Sequence, residues 1–126
     1  MSEPAPAELG STFDLGSVGR ALQAEPRYQR DGQAARTLVR TPDLRVVLVV
    51  LRRGTRIAEH HANETVSIHT IAGHLRLHLP ERVVELEAGQ LLVLAPGLPH
   101  DVEASGDSAF ILTLGAPAHI PNTSRP

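Results

Sequence analysis

Residues 73–100 read GHLRLHLPERVVELEAGQLLVLAPGLPH. Near its start Leu75, Leu77 and Leu79 alternate with His74, Arg76 and His78, the period of two that turns one face of a strand inward and leaves the other in solvent. Pro80-Glu81 supplies a turn, after which Val83 to Leu86 returns antiparallel. Gly89 breaks the chain again, Leu91 to Ala95 forms a further strand, and Pro96-Gly97 closes it.

The same rhythm extends to both sides. From Arg36 onward the residues are β-branched and alternating, with breaks at Pro42, Gly54, Asn63, Gly73, Pro80, Gly89, Pro96 and Gly106, and Ala109 to Leu114 completes the set. Short strands at regular spacing predict a sandwich or barrel. Leu44 to Leu51 reads Leu-Arg-Val-Val-Leu-Val-Val-Leu, so both faces of that strand must be covered, one by the core and the other by a helix or a second subunit, and a homodimer is the simpler of the two. Upstream, Ser11 with Asp14 three later has the pattern of a helix N-cap, and Leu15, Val18 and Leu22 fall on one helical face. Pro26 is expected to stop that helix, giving one short helix over 12–25 that lies across the outside of the strands. Residues 1–10, rich in Pro, Ala and Glu, read as a flexible leader, 11–116 as one domain and 117–126 as a tail.

Composition narrows the chemistry. A chain of 126 residues suits one domain, and 41% hydrophobic residues, 21% charged residues and a net charge of -2 describe an ordinary globular protein without a nucleic-acid partner. All twelve basic residues are Arg, so lysine Schiff-base and phosphate-loop chemistry is excluded. The absence of Cys removes thiol catalysis, thiolate zinc sites and disulfides. Three aromatics, Phe13, Tyr28 and Phe110, are too few for base stacking. No signal peptide, membrane anchor or spanning apolar window is visible, and the expected location is cytoplasmic.

Seven histidines stand out, and His60, His61, His69 and His100 fall near strand ends or turns. Imidazole is the commonest protein ligand for zinc, iron, nickel and manganese, and the mouth of a small barrel can gather side chains from separate strands. The spacing resembles the two signature motifs of the cupin superfamily. The first is a glycine, five residues, His-x-His, three or four residues, a Glu, six residues and a glycine. Gly54, His60 and Gly73 match it in register, while Ala62 and Val66 stand at the second His and the Glu. The second is a glycine, five residues, Pro-x-Gly, two residues and a His. Gly89, Gly97 and His100 match, with the proline moved to Pro96 and Ala95 at its usual place.

This resemblance implies an all-β fold, a double-stranded β-helix or jelly-roll barrel, with the short N-terminal helix added. It also implies a small-molecule pocket in which a divalent metal ion (zinc, nickel, iron or manganese) is held by His60 and His100, with no organic cofactor. Two imidazoles bind such an ion weakly, so a third donor is needed. His69 is one candidate, although strand parity turns it away if Val66, Ile68 and Thr70 point inward. His61, Glu59 and Glu64 are the others, grouped around the turn at Ala62 and Asn63. Two alternatives stand beside the metal centre, a metal-free ligand-binding module and a regulatory homodimer. His74 and His78 read as solvated residues on a sheet face.

Overall fold

The computed structural model describes residues 10–60 and 62–117, and at 59, 60, 116 and 117 the backbone alone. Two helices, α1 (Leu15–Gln23) and α2 (Pro26–Asp31), precede the strands β1 (Gln33–Thr41), β2 (Leu44–Leu51), β3 (Arg56–His60), β4 (Glu64–Ala72), β5 (His74–His78), β6 (Val83–Glu87), β7 (Leu91–Leu94), β8 (His100–Ala104) and β9 (Ser108–Pro117). The strands form a five-stranded sheet in the order β1-β2-β9-β4-β7 and a four-stranded sheet in the order β3-β8-β5-β6. All pairings are antiparallel. Beyond the β1–β2 and β5–β6 hairpins each connection crosses from one sheet to the other, which winds the chain into the expected jelly roll. Alternation then fills the space between the sheets: Val47, Val49 and Leu51 of β2, Val66 and Ile68 of β4, Leu75 and Leu77 of β5, and Phe110 and Leu114 of β9 share one core.

The second face of β2 is covered from within the chain. Leu48 and Val50 pack with Leu22 of α1, Tyr28 of α2, and Ala34 and Leu38 of β1 in a separate cluster. The helices therefore do what a second subunit was expected to do, and β2 gives no reason for a homodimer. The helical segment itself departs from expectation at both ends. Asp14, extended at φ -86 and ψ 97, is the N-cap and accepts the Ser17 N–H at 3.0 Å, so α1 starts at Leu15 instead of near Ser11. Pro26 begins a helix instead of only ending one. At the first helical position its missing N–H would have had no intrahelical partner, and its fixed φ suits the turn, so two helices replace the single one over 12–25. Gly32, at φ 78, ends α2. The leader expected at 1–10, apart from residue 10, and the tail beyond 117, with His119, lie outside the described residues, as does His61.

Tyr28 gives this outer cluster a pH signature. Burial, then the Asp107 carboxylate, push its phenol above the ordinary value of 10.0. A proton held more tightly in the folded state stabilises it, and that contribution is complete below the unfolded pKa and lost as pH rises through the folded one. With no Lys and no Cys in the chain, Tyr28 is the one side chain that titrates between the histidines and the arginines. Urea unfolding between about pH 9 and 11 should show stability falling with pH, and Tyr28→Phe should flatten that slope. An unchanged slope in the variant would assign the effect elsewhere.

A single residue carries the chain from one sheet to the other between β4 and β5. Gly73 sits there at φ 82, packed against the backbone of Asp107 and Ser108. The buried Ser108 hydroxyl ties the corner, accepting the His74 N–H at 3.0 Å and donating to the Gly106 carbonyl at 2.7 Å.

Candidate functional site

The two histidines at the motif ends come together through the backbone. His60 and His100 are register partners at the start of the β3–β8 ladder. Ile57 pairs with Val102 two places further along β8, and the three steps from Ile57 to His60 set against two from Val102 to His100 define a β-bulge. A bulge resets the alternation by one residue. Without it, Ile57 and position 60 would fall on opposite faces of β3. With it, position 60 stands across from His100 on the strand face that carries Val102 and Ala104 into the core.

The second motif supplies the rest of the rim. Gly97, at φ 81, turns the chain between β7 and β8, and its N–H donates to the Ala62 carbonyl at 2.7 Å. One hydrogen bond thus latches the second motif onto the first. His100 follows, 2% exposed, with Nδ1 3.0 Å from the Leu98 carbonyl oxygen. A carbonyl only accepts, so Nδ1 carries the hydrogen, and in the neutral ring Nε2 holds the lone pair. A ligating histidine needs this tautomer, set by a backbone partner on its other nitrogen.

The remaining wall is apolar. Val66, at the family's Glu position, is 4% exposed and lies between Leu94 and Leu114 in the ladder. Ala62, at the second His position, packs against the same core. His69 is exposed and pairs with Leu91 and Ile111, whereas Val66, Ile68 and Thr70 are buried. Strand parity holds along β4, and the structure does not bring His69 to His100. Glu64 is half-buried at the start of β4. Among the described residues no three His, Asp or Glu side chains gather as a metal centre. The Thr70 hydroxyl, fully buried further along β4, has no hydrogen-bond partner among the described residues.

The other charged groups are engaged on the outer face of the four-stranded sheet. His74 Nε2 lies 2.6 Å from Glu85, which holds the Glu85 carboxyl below its ordinary value of 4.5, with Arg76 adding to the effect. His78 Nε2 lies 3.1 Å from Glu103, and Arg56 bonds Asp101 at 2.5 Å. Both histidines occupy the sheet surface the sequence assigned to them. Arg52 donates to the Tyr28 and Gln29 carbonyls.

Sequence reasoning missed one concavity. A groove of about 410 Å³ follows the inner face of β1 and β2, with Val47, Val49, Leu112 and Ile57 beneath and Arg27, Asp31 and Arg45 among its lining. His100 does not line it. Ile57, the last regular pair before the bulge, links the two regions. Arg45 shares the inward face of β2 with Val47 and Val49, and only the pairing of β1 with β2 shows that this face stays open there.

A family model for the AraC-like ligand binding domain matches residues 47–118, more than half of the chain. The chain belongs to this family. No curated protein matches it. Among solved structures, this AraC-like domain is similar to a conserved protein of unknown function from Streptococcus pyogenes, at 22% identity over 93% of this chain and 96% of that one, with a TM-score of 0.69. It is similar to a cupin superfamily protein from Desulfitobacterium hafniense, at 11% identity, 67% and 77% coverage and a TM-score of 0.65. It is also similar to salicylate 1,2-dioxygenase from Pseudoaminobacter salicylatoxidans, in a structure with gentisate, at 19% identity and a TM-score of 0.73, covering 82% of this chain and 32% of that one. At these identities the likeness concerns the fold alone, which is the cupin jelly roll.

Proposed function

We propose that this domain binds a small organic molecule at the end of the barrel where His60 and His100 meet, holding it without covalent chemistry of its own. The register pairing of those two positions across a bulge carries the proposal: His100 is buried against apolar core side chains, and a few polar tips among aliphatic surface are the composition of a recognition pocket. Membership of a ligand binding family supports it. Among the described residues no helix is long and apolar enough to cross a membrane. We propose a homodimer as well, supported by Leu91 and Val93 on the edge strand β7, which are 60% and 58% exposed. Sedimentation at micromolar concentration checks it, and a monomer throughout would remove it.

A second role for the same pair follows from the His100 tautomer. His60 and His100 suit a weak two-imidazole site for a divalent ion, completed by Glu59, His61 or Glu64. The full cupin donor set does not fit, because Ala62 and Val66 offer no lone pair and pack as core. His69 would require β4 to turn over. An ion held there would act as a Lewis acid toward a ligand oxygen. The chain's own part is to keep the Nδ1 hydrogen of His100 on Leu98 and to exclude water with Leu94, Leu98 and Leu114.

The test uses protein purified without a histidine tag. Zinc, nickel, iron(II) or manganese should raise the melting temperature, since a ligand that binds only the folded state stabilises it by mass action. His60→Ala and His100→Ala should each abolish the rise, His74→Ala should not, and the rise should vanish below about pH 6 as imidazoles protonate. Equal behaviour of all three variants would remove the metal role and leave the metal-free pocket.

A further inference from the structure

We propose that the groove along β1 and β2 receives a small organic anion, its carboxylate on Arg45 and Arg40 and its apolar body against Thr37, Val47 and Leu112. This groove is a second site, apart from the His60–His100 end of the barrel, and goes beyond the role proposed above. The decisive juxtaposition is in the ladder. Arg40 and Arg45 are register partners, directly opposite each other on one face of β1 and β2. Like charges so placed repel and weaken a strand pair. Among the described residues neither forms an ion pair or side-chain hydrogen bond, in contrast to Arg36, held by Glu25 at 3.4 Å, and Arg56, held by Asp101.

The local acids do not neutralise the pair. Asp31 is taken by Arg30 at 3.0 Å, which with the charge of Arg27 keeps its carboxyl below the ordinary range. Glu64 shares a smaller depression of about 200 Å³ with Arg40 and Arg45 and makes an ion pair with neither. The next residue of β9 beside Arg45 is Leu114, which is apolar. An anion seated between the two guanidiniums replaces repulsion with paired charge-assisted hydrogen bonds.

The cavity fixes the rest of the ligand. Arg45 lines both the small depression, which it shares with Arg40, and the groove of about 410 Å³, so its side chain borders the two. That volume lies in the range of roughly 300–1,000 Å³ typical of small-molecule pockets. Its base consists of core side chains that neither sheet fully covers, which favours an aliphatic or aromatic body over a sugar phosphate.

Hexanoate is a suitable probe and hexanamide its uncharged counterpart, followed by amide chemical shifts of the full chain. Hexanoate should shift the amides of Thr37, Arg45, Val47 and Leu112 saturably, with hexanamide weaker by roughly 10- to 100-fold. Arg45→Gln should weaken hexanoate by at least about tenfold, and Arg36→Gln, on the opposite face, should leave it unchanged. Equal affinity for the two probes, an unaffected Arg45→Gln, or no saturable shift up to the solubility limit would overturn the anion site. If His100→Ala loses binding and Arg45→Gln keeps it, the barrel pocket stands and the groove falls. The reverse result keeps the groove without the histidine pair. Shifts that follow protein concentration instead of probe would show a second copy seated in the groove, and would also overturn the proposal.

Discussion

Gly73→Ala should cost roughly 2–5 kcal/mol of folding stability, a large part of the ~5–15 kcal/mol a domain possesses. Two causes add. Left-handed backbone disfavours a side chain by about 1–2 kcal/mol. A Cβ at this corner would also overlap the Asp107 carbonyl oxygen and the Ser108 hydroxyl, and would lie 2.8 Å from Ser108 Cα. These neighbours are mainly backbone, so relief requires β9 to move away from the corner, breaking the Ser108 bonds to His74 and Gly106. Overpacking of that kind costs about 1–3 kcal/mol more. Gly89→Ala is the matched control, since its φ is 90 but nothing lies within 4 Å of the added carbon. It should lose only the conformational part, about 1–2 kcal/mol. Urea midpoints compare the two directly, and equal losses would mean that the corner is looser than the packing around Gly73 indicates.

The second large effect concerns the apolar substitutions in the ligand frame. Val66→Glu places a carboxyl between Leu94 and Leu114, where Val66 is 4% exposed. Without a partner it should cost about 3 kcal/mol or more at neutral pH, or remain protonated. Combining it with Ala62→His adds the missing donors beside His60 and His100. If the barrel retains the cupin geometry, zinc or manganese should then return stability to the double variant, about 2.7 kcal/mol at a hundredfold excess over the dissociation constant. EDTA should withdraw it, and a further His100→Ala should prevent it. A double variant that metal cannot rescue would show that the register pairing of His60 and His100 does not make a coordination site.

What could be read from the sequence follows from which features are local. Leu44–Leu51 is a β-branched and apolar run and His74 to Leu79 alternates, and the strands read from them and from Val83 to Leu86 appear where expected. Alternation also tied His69 to the face opposite Val66, while leaving open which of the two points inward. Pro26 was misjudged because a proline that cannot continue one helix can still start another, and the outcome depends on whether the next residues pack. They do, through Tyr28. The bulge between Ile57 and His60 was illegible because it belongs to a pair of strands, and neither strand alone records the extra residue. The groove was hidden for a similar reason, since it needs Arg40 and Arg45 to be opposed and the face of β1 to stay uncovered.

The bond from the Gly97 amide to the Ala62 carbonyl also makes the rim observable. Any ligand entering past His100 must either leave this clasp closed or part it, and parting exposes a single amide proton to exchange with deuterium. The exchange rate at Gly97 therefore counts openings of the mouth, and a ligand that seals the barrel would slow that one proton more than those of the strands around it.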